Sequence, residues 1–344
     1  MRLFFSLLFS LLLGVAGAGY LWLNHEFVLP SATVDLSIEP GFSGRDIANA
    51  VQEAGVSVNP GLLYAWFRVS GVARQIKAGS YELDRQTTPR SLLQKLVRGE
   101  ESLRSVTLVE GWTFRQVREA LAKAEQLKPE SQGLGPADIM TQLGKPGTTA
   151  EGRFFPDTYT YSKGSSDMAV LRRAMRAMDK RLARAWDLRD PGSPLKSPEE
   201  ALVLASIVEK ETGSPKDRAH IAGVFNNRLR LGMRLQTDPT VIYGMGTAFD
   251  GNLRKKDLLT DTPWNTYTRA GLPATPISMP GKASLLAAVQ PASTKAIYFV
   301  ARGDGSSQFS HTLDEHNRAV NKYQRGQRKN DGCNDRAFYN FRRH

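Results

Sequence analysis

The segment Ser197–Gly213, with the sequence SPEEALVLASIVEKETG, carries two carboxylates at the end of an apolar run. A helix here places Glu211 on the same stripe as Leu204 and Ile207, because one turn takes 3.6 residues. Glu209 lies on a different face. A carboxyl group among apolar side chains has a raised pKa and can hold a proton near neutral pH, as a general acid that protonates a sugar-ether oxygen must. The alternative is a partly buried glutamate that caps a neighbouring backbone or pairs with an arginine.

Sequence signals at both ends predict the helix that would carry Glu211. Ser197 supplies a capping hydroxyl, Pro198 suits the first helical position, and Glu200 completes a capping box. Gly213 predicts a left-handed end. A second helix is expected to start at once at Ser214-Pro215. Two helices joined by one tight turn would give a rigid support for a positioned acid.

Two segments further along the chain offer polar and aromatic groups for a binding cleft. In Met233–Gly246, Asp238 and the following proline predict another helix start, which gives Asp238 a structural role. Pro263–Gly281 is too rich in proline and glycine for regular structure and predicts an ordered loop of the kind that lines substrate sites. The groups available in these segments are Gln236, Thr237, Tyr243, Trp264, Asn265, Thr266 and Tyr267.

Composition narrows the possible functions. A length of 344 residues allows about two domains beyond any targeting segment. The net charge of +12 suits nucleic acid, anionic lipid or a cell-wall polymer without choosing among them. The single cysteine, Cys333, excludes an internal disulfide, and the five histidines show no HExxH spacing. We therefore expect neither a metal centre nor a cofactor.

The N-terminal run Leu3–Leu23 is uncharged, mostly apolar and long enough to span about 30 Å of hydrocarbon as a helix. Arg2 favours a cytoplasmic N-terminus. The alternative is a cleaved signal peptide with Ala16-Gly17-Ala18 at the cleavage site. We expect an uncleaved anchor because apolar residues continue past that point. Either interpretation sends the rest of the chain across the membrane and excludes a cytoplasmic role with nucleic acid.

The region Thr33–Glu125 predicts a small α+β unit with a weak internal repeat. Ser37–Val51 aligns with Thr107–Leu121, each with a strand, a glycine, an aromatic residue, a capping hydroxyl and a helix. A third segment, ending at Gly99, repeats strand, cap, proline and helix. Such units suit a carbohydrate-binding module, and a generic spacer domain fits equally well. Gln126–Ala150 predicts a linker with at most one short helix.

A second domain is expected from about Glu151, with Phe154 and Phe155 in its core. Beyond about residue 324 the chain has many basic residues and no apolar period, which predicts a disordered tail. The closing elements are predicted as a helix over Lys282–Val289, strands over Ala296–Val300 and Gln308–Thr312, and a helix over Leu313–Tyr323.

Several motifs together resemble one family. EGRFFPDTY, LASIVEKETG, VFNNRLRLGMRLQTDPTVIYGMG, WNTYTRAGLP and FSHTLDEHN, in this order between about Glu151 and Tyr323, are similar to those of the endolytic murein transglycosylases, also called YceG-like. The anchor and the Thr33–Glu125 region resemble the membrane helix and LysM-like subdomain of that family. The resemblance implies an α+β fold with the following parts: anchor 1–24, LysM-like glycan-binding subdomain 25–126, linker 127–150, mixed α/β catalytic domain 151–324, basic tail 325–344.

The resemblance also implies site residues. The catalytic acid of the family is the second glutamate of its motif, which falls on Glu211, in agreement with the helical-face argument. The substrate-binding motifs fall on Asn227 and Arg228, on Gln236, Thr237 and Asp238, and on Asn265, Thr266 and Tyr267, and we add Tyr243 from the cleft argument. This chain departs from relatives at Ser307, where some carry histidine, and at Trp264, often tyrosine.

The implied enzyme is held in the inner membrane, faces the periplasm and cleaves nascent glycan strands within the chain, leaving 1,6-anhydromuramic ends. Its nucleophile belongs to the substrate, so a second catalytic carboxylate is not needed. Expected partners are peptidoglycan glycan strands, the inner membrane and peptidoglycan synthases, with no nucleic acid and no cofactor. The alternatives are a hydrolytic muramidase, which needs a second carboxylate near Glu211, and a non-catalytic murein-binding scaffold protein.

Overall fold

A computed structural model describes residues 2–39 and 41–325. The chain divides into two compact units: unit 1 is Met1–Ser105 with Thr160–Ser165, and unit 2 is Val106–Tyr159 with Ser166–His344. Both helices and strands are present, so the α+β class is confirmed. The limits 25–126, 127–150 and 151–324 stay predictions, and Cys333 and residues 326–344 of the predicted tail lie outside the described residues.

Unit 1 contains a two-stranded antiparallel sheet and short helices. Its elements are α1 (Arg2–Leu23), β1 (Thr33–Ile38), α2 (Gly44–Glu53), α3 (Pro60–Val69), a 3₁₀ turn (Ala73–Gln75), β2 (Gly79–Asp84), α4 (Pro89–Arg98) and the start of β3 (Leu103–Thr107). β1 pairs with β2 so that Thr33 lies opposite Asp84 and Ile38 opposite Gly79. Alternate residues of β1 are buried, which places one face of this strand on the core of the unit.

Local signals set the helix limits in unit 1, as predicted. The Ser43 hydroxyl caps α2, and the Thr88 hydroxyl caps α4 with a proline at its first position. Gly99 ends α4 in the left-handed conformation at φ 71°, where glycine has no Cβ to clash. Thr113, the capping residue of the repeat segment Thr107–Leu121, caps the first helix of unit 2 in the same manner. Whether unit 1 is LysM-like stays a prediction.

The membrane anchor predicted for Leu3–Leu23 falls on α1. Over the residues that the structure describes, no helix meets the combined length and hydropathy required of a membrane span. The predicted anchor therefore depends on the sequence alone.

Unit 2 is mainly helical. Its elements are α5 (Phe114–Lys123), α6 (Pro136–Gln142), β4 (Thr158–Ser162), α7 (Asp167–Asp187), α8 (Pro198–Glu211), α9 (Pro215–Arg230), α10 (Asp238–Met245), a 3₁₀ turn (Gly246–Ala248), α11 (Lys255–Leu259), α12 (Lys282–Val289), β5 (Tyr298–Ala301), β6 (Ser307–Ser310), α13 (Leu313–Val320) and a π-helical turn (Asn321–Arg325). β3 and β4 form a two-stranded sheet, and the division between the units falls within these strands. β5 and β6 pair antiparallel, and the predicted order of closing elements is confirmed.

The centre of unit 2 is α8. It packs against α7, α9, α10 and α12, and every residue from 201 to 208 is buried. Phe155, Phe225 and Leu285 belong to the same core. Phe154 and Phe155 are both buried, which confirms their predicted core positions. Because neighbours surround α8 over two turns, its C-terminal end has a fixed position in the unit.

The two ends of α8 differ in how well local signals predict them. The Ser197 hydroxyl caps the start, but the Glu200 carboxylate accepts from the Lys196 amide at 2.6 Å, one residue before the cap, so no capping box forms. The helix ends at Glu211, and Thr212 is already extended at φ −149°. Gly213 does not adopt a left-handed conformation, so that prediction is wrong. The Thr212 hydroxyl accepts from the Ser214 amide at 2.9 Å, and this bond closes the link to α9 instead.

Candidate active site

Glu211 is the last residue of α8 and is half-buried. Burial on all sides over residues 201–208 means that α8 has no single apolar stripe. The helical-face argument therefore does not separate Glu211 from Glu209 in the folded protein. The hydrogen-bond partners of the two carboxylates distinguish them.

Glu209 is bonded to the backbone of a neighbouring helix start. Its Oε2 atom accepts a hydrogen bond of 2.9 Å from the amide of Gly281, the residue that precedes α12. The next side chain, Lys210, donates to the Gly111 carbonyl at 3.3 Å. These two side chains connect the end of α8 to its surroundings, which gives Glu209 a structural role.

Glu211 instead faces hydroxyl, carboxylate and guanidinium groups. The Thr237 hydroxyl donates to Glu211 Oε1. Burial raises the pKa of Glu211 from 4.5 to about 7, the Thr237 bond and the charge of Arg228 lower it, and the charge of Asp238 raises it. A pKa near 7 lets the carboxyl group both donate and accept a proton close to neutral pH, as a general acid and base must.

Arg228 donates hydrogen bonds to backbone carbonyls around the site. It is only 8% exposed. Its Nε donates to the Ile297 carbonyl at 2.7 Å, and its Nη1 donates to the carbonyls of Leu235 and Arg234 at 2.9 and 3.2 Å. Its guanidinium carbon lies 5.2 Å from the centre of the Tyr298 ring. Arg228 therefore provides a fixed positive charge near Glu211 and joins α9 to the backbone before α10.

The backbone before α10 bends sharply at Gln236. This residue has φ 49°, a left-handed conformation that costs a non-glycine residue about 1 kcal/mol. The Gln236 amide donates to the Thr266 carbonyl at 3.1 Å, and the Thr237 amide donates to the Thr266 hydroxyl at 3.0 Å. Gln236 itself is exposed and its side chain remains accessible. The bend directs the Thr237 hydroxyl to Glu211. Strained backbone of this kind is often found at functional sites.

The loop that contains Asn265 and Thr266 is hydrogen-bonded to this bend. Asn265 is fully buried, its Nδ2 donates to the Thr260 carbonyl at 2.7 Å, and its Oδ1 accepts from the Tyr267 amide at 2.8 Å. Thr266 is also buried. We infer that Asn265 and Thr266 position the loop, and that the half-buried Tyr267 is the member of this motif nearest to solvent.

Asp238 does not cap α10, so the predicted role of its carboxylate as a helix cap is wrong. Thr237 occupies the cap position and Asp238 is the first residue of the helix. The Asp238 Oδ1 atom accepts from the Tyr267 hydroxyl at 2.5 Å, and the Asp238 charge acts on Glu211. A second carboxylate therefore lies beside the candidate acid.

Two of the predicted binding residues make their contacts elsewhere in unit 2. The side-chain Nδ2 of Asn227 donates to the carbonyls of Thr294 and Ala296 at 2.8 and 2.9 Å. The Tyr243 hydroxyl donates to Glu151 at 3.1 Å, and its ring meets Trp264 edge-to-face at 5.4 Å. The structure thus groups Glu211 with Arg228, Gln236, Thr237, Asp238, Thr266 and Tyr267, and it gives Asn227 and Tyr243 other partners.

Glu151 is a residue that the sequence reasoning missed as a titratable group. It is 6% exposed and accepts from the Phe114 amide at 3.0 and 3.2 Å and from the Tyr243 hydroxyl. Burial raises its pKa to about 7, and the Phe114 and Tyr243 bonds oppose the rise. Its place in the EGRFFPDTY motif was a weak signal of burial, but a partner 92 residues away is not visible in a local pattern.

Glu151 should make the stability of the protein depend on pH. The folded state holds this proton up to a pH of about 7 and the unfolded state only to about 4.5, so stability falls as the pH rises through this interval. The difference amounts to about 3 kcal/mol. We expect Glu151→Gln, which keeps the shape without the charge, to flatten the dependence of the unfolding free energy on pH, measured by urea denaturation between pH 4 and 8. The exposed Glu119→Gln is the control and should leave the curve unchanged.

The fold and site together define an α+β protein with one protonatable acid at the end of a buried helix. The sequence model of the YceG-like family matches residues 36–322, so this chain belongs to the YceG-like family. A yceG-like protein from Listeria monocytogenes of known crystal structure is 30% identical, with a TM-score of 0.52, and the alignment covers 83% of this chain and 98% of that one.

Two relatives are named for an activity. An endolytic murein transglycosylase of Bacillus subtilis is 32% identical over 309 residues, covering 85% of each chain. An endolytic murein transglycosylase of Streptococcus pneumoniae is 26% identical over 362 residues, covering 92% of this chain and 64% of its own length.

Proposed function

We propose that this chain is an endolytic murein transglycosylase, a lyase that cleaves the β-1,4 bond between N-acetylmuramic acid and N-acetylglucosamine inside glycan strands. The names of the two relatives support the activity and the substrate class. The observation that carries the assignment of the acid is the half-buried Glu211 carboxyl, whose pKa of about 7 lets it exist in both protonation states.

The reaction starts with proton donation. Protonated Glu211 gives its proton to the oxygen that leaves from C1 of muramic acid, and the C1–oxygen bond breaks as positive charge develops on the ring. Thr237 holds Glu211 Oε1 through its hydroxyl, which orients the carboxyl group.

The second step closes a ring on the substrate. The Glu211 carboxylate takes the proton of the muramic C6 hydroxyl while the C6 oxygen bonds to C1, which forms the 1,6-anhydro sugar and restores protonated Glu211. No water is consumed, and one acid serves both steps. The Tyr267 hydroxyl donates to Asp238, which favours a supporting rather than a nucleophilic role for that carboxylate.

Digestion of purified glycan strands, followed by mass spectrometry, tests this proposal. The lyase reaction predicts soluble fragments that end in 1,6-anhydromuramic acid. A hydrolytic muramidase would leave ordinary reducing ends, with Asp238 as its candidate second carboxylate. A non-catalytic scaffold protein would bind the strands and release no fragments.

The variant Asp238→Asn separates the two enzymatic schemes. Because the Asp238 charge raises the pKa of Glu211, its removal should lower that pKa, and the loss of activity at high pH should begin at a lower pH. The products should still carry anhydro ends. We would measure kcat/KM from pH 5 to 9, with the exposed Asp304→Asn as the control. A hydrolase that uses Asp238 as its base would instead lose about 10²-fold or more in rate at every pH.

We also propose that Leu3–Leu23 anchors the enzyme in the inner membrane with both units in the periplasm, where unit 1 binds glycan as a LysM-like subdomain. The support is the uncharged, apolar sequence of that segment and the repeated strand–cap–helix pattern of unit 1. Peptidoglycan synthases are partners that fit this setting. Membrane fractionation with and without residues 1–24 tests the anchor.

A further inference from the structure

A cavity of about 590 Å³ lies within unit 2 and is separate from the Glu211 carboxyl group. Its wall is formed by α5, the turn around Pro129 and Ser131, the start of α6, residues 149–151 and Tyr243. Glu211 is not among the residues that line it. The volume falls within the range of about 300–1,000 Å³ typical of pockets for small ligands.

The lining carries both signs of charge. α5 contributes Arg115, Arg118 and Glu119, and the buried Glu151 and Asp167 lie in the same wall. Arg115 is exposed, and Arg118 donates from Nη2 to the Ser131 carbonyl at 3.1 Å, which leaves its other donors available. A short peptide with free carboxylates can pair with two guanidinium groups through charge-assisted hydrogen bonds.

The remaining wall suits a peptide as well. Ala122 and Pro136 give the cavity apolar surface beside its charged groups. Tyr243 directs its hydroxyl to Glu151 and so fixes one side of the cavity. A peptide stem offers both apolar side chains and charged groups to such a wall.

One short helix links the cavity to the candidate acid. Thr237, directly before α10, donates to Glu211, and Tyr243, six residues later, lines the cavity. Six residues of helix advance about 9 Å. The cavity therefore lies one short helix away from the residue that contacts Glu211, which suits a substituent of the bound strand rather than the bond being cleaved.

We propose that this cavity binds the peptide stem of the substrate, the short carboxylate-bearing peptide attached to muramic acid, while the glycan backbone passes Glu211. The inference rests on the proposed function, since it assigns a second subsite to the same substrate. Arg115 and Arg118 pair with carboxylates of the stem. The cavity thereby favours strands that still carry their peptides.

A binding experiment tests the subsite without catalysis. The full chain with Glu211→Gln is titrated with two fluorescent probes, a disaccharide-tetrapeptide from peptidoglycan and the same disaccharide without peptide. Ala122→Trp fills the cavity from an exposed position on α5, and Lys123→Trp, at the exposed neighbouring position outside the lining, is the control. We expect Ala122→Trp to weaken binding of the peptide-bearing probe at least tenfold and to leave the other probe unchanged. Equal effects on both probes, or no effect, would overturn the proposal.

A kinetic comparison keeps the failure of the subsite distinct from that of the proposed function. In the chain with Glu211 intact, Arg115→Ala should raise KM about fivefold or more for strands that carry peptides and leave KM unchanged for strands stripped by an amidase. An enzyme that cleaves both kinds of strand with the same KM, before and after the substitution, retains the proposed function and lacks the subsite. A chain that cleaves neither strand loses the proposed function, while the titration still decides whether the cavity binds peptide.

Discussion

Replacing Glu211 with glutamine is expected to reduce cleavage of glycan strands by about 10²–10⁴-fold, the range that a positioned general acid contributes. Glutamine keeps the size of the side chain and can accept the Thr237 hydrogen bond, but it cannot donate a proton to a leaving oxygen. The fold should persist, because the eight residues before the end of α8 that form its core contact are unchanged. Release of soluble fragments from purified strands measures the activity, and circular dichroism verifies the fold.

The matched control is Glu209→Gln, two residues earlier on the same helix. Glu209 accepts from the Gly281 amide, and a glutamine oxygen can accept the same bond. We expect activity within about tenfold of the unaltered chain, in line with a structural role. Full activity of Glu211→Gln, or equal losses in both variants, would contradict the assignment of the acid.

The second large effect is expected from Arg228→Met. Methionine fills much of the same space, but the carbonyls of Ile297, Leu235 and Arg234 lose their charged donor. A buried acceptor left without a partner costs about 1–3 kcal/mol, so the free energy of unfolding should fall by about 3 kcal/mol or more. Chemical denaturation monitored by tryptophan fluorescence measures the loss.

Arg228→Met should also alter the pH dependence of activity. Arg228 lowers the pKa of Glu211, so its removal should raise that pKa and let activity persist to higher pH, the opposite of the shift expected for Asp238→Asn. Arg230→Met is the control, since Arg230 is exposed and lies two residues away on α9. Equal destabilisation in both variants would show that Arg228 has no special structural role.

Local signals predicted the elements around the site well where the cause of the structure is itself local. Ser197 caps α8 because its hydroxyl reaches an amide three residues ahead, and α12 spans the predicted Lys282–Val289. Gly213 failed as a signal because a hydroxyl on the preceding threonine closes the turn to α9. Gly213 and the Thr212 hydroxyl are both local signals for the end of α8, and they are adjacent in sequence. Only the folded chain shows which of them closes the turn.

The site itself depends on contacts between distant segments, and sequence reasoning found its members more easily than their roles. Asp238 looked like a helix cap, yet its partner is the hydroxyl of Tyr267, 29 residues away. Asn265 matched a binding motif, but the folded loop buries its amide. Glu151 was not predicted as a buried titratable residue, because nothing near it in sequence indicates that Tyr243 and Phe114 contact it. Charge and residue type indicated which residues could belong to the site, and tertiary packing determined the role of each one.

The most direct test of a single acid that works without water is digestion of purified glycan strands in isotopically labelled water. If Glu211 returns its proton through closure of the substrate ring, every new end is an anhydro sugar and carries no label. Incorporation of one labelled oxygen at each new reducing end would contradict the account and assign the reaction to hydrolysis.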